Sequence, residues 1–160
     1  YWAAGLLILD VTDPADVTEL GTWIPAEGDS HAGWAFEIDQ RDYYAHTGEG
    51  SGQYLTILDV TDLTAPSAIS EYSSRDTISI HNVEVVDGIA YISYYLDGLR
   101  VVDLRDPQHP VEIGYYDTVP HDAENRLFQG AWGVHVDGAY VYVSDKEAGA
   151  FAFSVEIPER

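Results

Sequence analysis

GLLILDVTDPADVTELG (Gly5–Gly21), YLTILDVTDLTAPSAIS (Tyr54–Ser70) and GLRVVDLRDPQHPVEIG (Gly98–Gly114) align without a gap. Aspartates recur at two places in each copy: Asp10, Asp59 and Asp103 at the first, Asp13, Asp62 and Asp106 at the second. The copies follow one another at roughly 45–50 residues, the period of a repeat that holds several strands. A weaker fourth copy, GAFAFSV (Gly149–Val155), puts Ser154 where the first aspartate stands.

A second unit alternates with the first. VEVVDGIAYIS (Val83–Ser93) resembles VHVDGAYVYVS (Val134–Ser144), and WAFEIDQRDYYA (Trp34–Ala45) is a diverged version. Each reads as two short runs rich in Val, Ile, Tyr and Ala around a turn, and Asp87-Gly88 and Asp137-Gly138 are strong hairpin signals. Asp106-Pro107 and Pro110 force a further turn, because proline cannot continue a strand ladder. One period therefore holds four strands, A to D, predicted in the best-defined copy at about 80–86, 89–95, 98–104 and 111–116. No stretch carries a helical apolar period, so the expected fold is all-β.

Four antiparallel strands per repeat is the pattern of a β-propeller blade. The expected layout is a half blade over 1–24, blades over 31–73 and 79–116, and a partial blade over 130–155, about three and a half blades in all. Closed rings hold at least four, so the expectation is the C-terminal part of a larger ring, or a ring completed by a second chain at the open blade edges.

The three GL-x-[IV]-x-D-[VL]-x-D segments resemble the LVIVD repeat of extracellular β-propellers. The stretch from His81 to Phe153, with HNVEV, YISYYLDGLRVVDLRDPQHPVEIGYYDT, GAWGV and VSDKEAGAFAF, is similar to the last blades of the secreted choice-of-anchor B branch of that family. The resemblance implies a propeller architecture and an extracellular, cell-surface or periplasmic location. It implies little about chemistry.

Composition narrows the partners. Seven Lys and Arg against 28 Asp and Glu give a net charge of −21, and Lys146 is the one lysine. Phosphate-lined ligands need clustered cations, which excludes nucleic acid and disfavours anionic membranes. An excess of hydrated carboxylates with almost no lysine is the balance expected of a halophilic protein. Cysteine is absent, removing disulfides and thiolate sites, and no apolar run is long enough for a transmembrane segment.

In a propeller the D-to-A and B-to-C loops emerge on one face, the usual place for a ligand. Here those loops are about 25–33, 74–82 and 117–131, and about 46–53, 95–98 and 145–149. Five of the six histidines are expected near this face, with only His135 inside a strand. His31 and His81 stand at matching places before strand A, and Trp132 occupies the place that matches His81. A rim of imidazoles and indole suits a metal or a flat ligand. The candidate ligand-binding residues are His31, His81, Asn82, Asp97, Trp132 and Asp145.

Asp97, Asp145 and Glu147 offer oxygen donors of the kind calcium takes, although no twelve-residue calcium loop is present. Beyond a divalent metal such as calcium, no cofactor is implied. The aspartates repeated in every copy read as turn staples, since a single active site has no use for one per blade. Tyr43, Tyr44, Tyr91, Tyr140 and Tyr142 read as packing between blades. The least repeat-like segment, 117–130, carries His121, Asp122 and Glu124, with Leu127 and Phe128 as a cap on the channel.

No phosphate loop, serine-nucleophile elbow or His-Glu-x-x-His pair occurs. The expected function is a non-catalytic, protein- or small-molecule-binding module on the loop face. Its rivals are a metal-assisted hydrolase or oxidoreductase using His31, His46 or His81, and a structural subunit of a larger assembly.

Overall fold

The computed structural model describes residues 2–119 and 127–157. They form thirteen strands and no helix: β1 (Leu6–Asp10), β2 (Thr18–Trp23), β3 (Ala32–Ile38), β4 (Arg41–Thr47), β5 (Leu55–Asp59), β6 (Ser67–Tyr72), β7 (Asn82–Val86), β8 (Ile89–Ser93), β9 (Leu99–Asp103), β10 (Val111–Tyr116), β11 (Ala131–Asp137), β12 (Tyr140–Asp145) and β13 (Gly149–Ser154). They pair antiparallel into four sheets, β1-β2, β3-β4-β5-β6, β7-β8-β9-β10 and β11-β12-β13. The innermost strands β3, β7 and β11 pack side by side. The sheets are blades of an open, all-β propeller.

Local chemistry explains the strand ends. Asp87 and Gly88 both adopt left-handed φ, 50° and 74°, as a two-residue hairpin between right-twisted strands requires. Asp39 and Gln40 do the same between β3 and β4 without a glycine, which is why that hairpin reads so poorly in the sequence. Gly98 has φ 71°, and a Cβ there would lie 2.2 Å from the Tyr116 carbonyl oxygen, so no other residue fits. Its repeat equivalent Gly5 meets the Trp23 carbonyl oxygen at the same distance.

The aspartates are staples. Asp10, Asp59 and Asp103 accept the backbone N–H two residues on, from Thr12, Thr61 and Arg105, at 2.8–3.0 Å. Asp13, Asp62 and Asp106 do likewise for Ala15, Thr64 and Gln108 at 2.9–3.2 Å. Each turn between strands C and D is thus closed by its own carboxylates.

One recurring device is silent in composition. The register slips once in each C–D pair, leaving Leu20, Ile69 and Ile113 unpaired at the same position of the repeat. A bulge there turns an extra apolar residue inward, and Ile69 and Ile113 pack against the core on either side.

Two hydrophobic clusters fill the seams. Ala45, Leu55 and Ile57 meet Val83, Val85, Ala90, Ile92, Val102 and Leu104 between the second and third sheets. Ile89, Tyr91, Leu99 and Val101 meet Ala131, Val141 and Val143 between the third and fourth. Strand alternation sends Ala90 and Ile92 to one seam, Ile89 and Tyr91 to the other. Tyr43 and Tyr91 are buried in these seams, but Tyr140 and Tyr142 are exposed because no sheet among the described residues covers that face of β12. Their expected packing between blades is corrected accordingly.

Candidate functional site at the channel mouth

The backbone before β3 and that before β7 are fixed in the same way. The His31 N–H donates to the Thr47 carbonyl at 2.9 Å, and the His81 N–H to the Ser93 carbonyl at 3.1 Å, each reaching the adjacent B strand. Because β3, β7 and β11 lie side by side, these matching positions converge at one end of the channel. The His31 and His81 rings are 4.6 Å apart, and His81 meets the Trp132 indole edge-on at 5.2 Å. Asn82 opens β7 beside them, its N–H bonded to the Ser93 hydroxyl.

Two residues from B-to-C loops complete the cluster. Glu49 sends one carboxylate oxygen to within 3.7 Å of His31 Nδ1 and the other to within 3.7 Å of His81 Nε2. The Tyr95 hydroxyl donates to Glu49, and its ring lies 5.1 Å from His81. Burial, and then the neighbouring carboxylate, push the Tyr95 phenol well above its ordinary range, so it stays a donor. Tyr95 is held at a left-handed φ of 31°, a conformation that a tyrosine keeps only under constraint. That constraint includes the Ala131 N–H, which donates to the Tyr95 carbonyl at 2.9 Å.

His81 is buried and His31 partly open. The His81 Nδ1 lies 2.6 Å from the Trp132 carbonyl, which also accepts from the Ser93 hydroxyl at 2.6 Å. Burial pulls the His81 pKa below its usual value, opposed by this bond to the carbonyl. Trp2 lies against His31 at 5.3 Å, and Lys146 sits 4.2 Å over the Trp132 ring. Trp2 and Trp132 remain 53% and 44% exposed, an aromatic rim around the imidazoles. Phe128 meets Tyr95 at 5.6 Å on the same side.

Asp97 and Asp145 are not brought into this cluster. Asp97 is buried and accepts from Ser74 and Arg75, on the D-to-A loop of the preceding blade. Asp145 accepts from Thr118 Oγ1 at 2.5 Å, again on the preceding blade's D-to-A segment, and from the Glu147 and Ala148 N–H groups at 2.8 Å. The two aspartates are equivalent clasps across successive seams. Glu147 accepts from the Gly130 N–H at 2.7 Å.

The histidines scatter more widely than expected. His109 lies in the β9–β10 turn at the opposite end of the molecule, paired with Asp106 at 3.1 Å. His135 is in β11 as expected and pairs with Glu84 at 3.1 Å. His46 lies within β4, its Nε2 2.7 Å from Ser30 Oγ and its ring 4.9 Å from Trp23. Its Nδ1 has no hydrogen-bond partner among the described residues, and burial lowers its pKa to about 4. It lines a separate cavity of about 470 Å³ with Trp23, Gln53 and Glu71. His121, Asp122 and Glu124 lie outside the described residues.

The LVIVD repeat matches residues 1–23, 44–74, 79–118 and 130–150. No significant match to a curated protein is found. Those four matched segments take in more than half of the sequence, and the chain belongs to the LVIVD repeat family.

Proposed function

We propose that this chain is a non-catalytic binding module, in which rigid blades hold variable loops around a ligand seat at the channel mouth. One observation carries the reading: His31, His81 and Trp132, far apart in sequence but equivalent in the repeat, meet in one aromatic and imidazole cluster. Asn82 borders that seat, while Asp97 and Asp145 hold its loops in place. The partner is a protein segment or small molecule with a flat or coordinating group.

The test is an NMR screen of small aromatic amines and aromatic carboxylates against labelled protein, with EDTA present. Shifts concentrated on Trp2, His31, His81 and Trp132 support the reading. Hits confined to the cavity beside His46, or no hits at all, overturn it.

We place the module outside the cell or in the periplasm, on the strength of its similarity to the choice-of-anchor B branch. No helix among the described residues is long and apolar enough to cross a membrane. The charge of −21 suits concentrated salt, and a urea midpoint indifferent to potassium chloride refutes that. A second reading, a metal-assisted hydrolase or oxidoreductase, draws on the approach of Glu49 to both His31 and His81. A third, a subunit of a larger assembly, draws on the exposed Leu7 and Leu9 at one flank and Tyr140 and Tyr142 at the other, which would seat further blades. A compact monomer by light scattering counts against that third reading.

A further inference from the structure

At the mouth, three donor groups from three separate segments have ligand atoms that all lie within 4.8 Å of one another: His31, Glu49 and His81. The two imidazole-to-carboxylate separations, both 3.7 Å, are too long for hydrogen bonds. They are close to the roughly 3.4 Å that separates two ligands each about 2.1 Å from a tetrahedral zinc ion.

The proton inventory explains why the groups stop at that distance. A carbonyl oxygen only accepts, so the Trp132 carbonyl at 2.6 Å requires the hydrogen of His81 to be on Nδ1. In the neutral ring the Nε2 lone pair then faces a Glu49 oxygen at 3.7 Å. That oxygen already accepts from the Tyr95 hydroxyl, which aims it. Two lone pairs turned toward each other repel unless a cation lies between them. An imidazole whose far N–H is tied to a backbone carbonyl is also the usual arrangement of a metal-ligating histidine.

We propose that His31, Glu49 and His81 bind one divalent transition-metal ion of the zinc type, with the remaining coordination positions open to the channel mouth. Two nitrogens and one carboxylate oxygen form a borderline donor set, suited to zinc, cobalt or iron and poor for calcium, which takes oxygens throughout. His31 and Glu49 are partly solvent-exposed, so an ion has a path in and a face left for a ligand. Tyr95, Ser93 and the Trp132 carbonyl act as positioning groups that set the carboxylate and the His81 tautomer. This rests on the reading of the mouth as the ligand seat and names what sits there.

The experiment titrates cobalt(II) into chelator-stripped full chain, followed by its visible absorption and by calorimetry, with zinc and then calcium as competitors. One cobalt per chain is expected, displaced by zinc and not by excess calcium. Glu49→Gln and His31→Gln are expected to weaken binding at least about tenfold, and Tyr95→Phe about tenfold through the lost aim of the carboxylate. His109→Ala, at the opposite end, is expected to leave it unchanged. Circular dichroism of each variant separates lost binding from lost fold.

Absent saturable binding, displacement by calcium, or equal affinity in Glu49→Gln and His31→Gln overturns the proposal. The EDTA screen keeps the two ideas apart. Cobalt failing while fragments still shift Trp2 and Trp132 removes the metal and leaves the ligand seat standing.

Discussion

All five residues of β8 are buried, whereas in β12 buried and exposed residues alternate, with Val141 and Val143 inside and Tyr140 and Tyr142 outside. The two strands hold the same place in their blades and have similar sequences, IAYIS and YVYVS. The difference comes from the neighbours: β8 has a sheet against each face and β12 against one. A blade in this protein therefore has no fixed inside. Its pleat offers two apolar faces, and stacking decides how many are used.

That contrast makes the steepest prediction. Ile92→Ala in β8 removes a fully buried side chain from a seam closed on both sides and is expected to cost about 3–4 kcal/mol, measured by urea unfolding. Val143→Ala in β12 loses about two methylene equivalents and is expected to cost about 1.5–2 kcal/mol. Equal losses would break the comparison.

The next effect probes the seam between the first two sheets. The His46 pKa is depressed to about 4 from 6.5, so between those values the unfolded chain binds more protons than the folded one. Stability from this group is complete above about pH 6.5 and drains away as the pH falls to about 4, by up to about 3 kcal/mol. Urea unfolding across that range, with NMR titration of the His46 ring, checks it. A normal ring pKa would show that water reaches the seam.

The smallest effect sharpens the contrast most. Tyr142→Thr, on the bare face of β12 and at a residue 43% exposed, is expected to change stability by no more than about 0.5 kcal/mol. A larger loss that grows with protein concentration would show that a second copy covers this face in solution.

The repeat made the strands, their hairpins and the aspartate turns legible, because each depends on residues near in sequence. It also placed His31, His81 and Trp132 together, since one register position copied from blade to blade must converge where the inner strands do. Glu49 and Tyr95 were obscured because the B-to-C loops differ in length and share no register. Glu49 is one carboxylate among 28 Asp and Glu, and Tyr95 one more aromatic next to Tyr94. Asp97 looked like a ligand because its partners, Ser74 and Arg75, are supplied by the preceding blade. His109 was counted with the wrong end because a histidine in a turn carries no label for which turn it is. The bulges at Leu20, Ile69 and Ile113 left no mark, since an extra apolar residue looks like any other strand residue.

The self-bonded aspartate turns imply an asymmetry in how such a chain can grow. At their end of the molecule, copying one unit copies a finished corner, complete with the groups that close it. At the opposite end, Asp97 and Asp145 each depend on what the previous unit supplies. Gene duplication thus inherits one end ready-made and must renegotiate the other at every junction, which is where descendants of this chain have room to acquire different ligands.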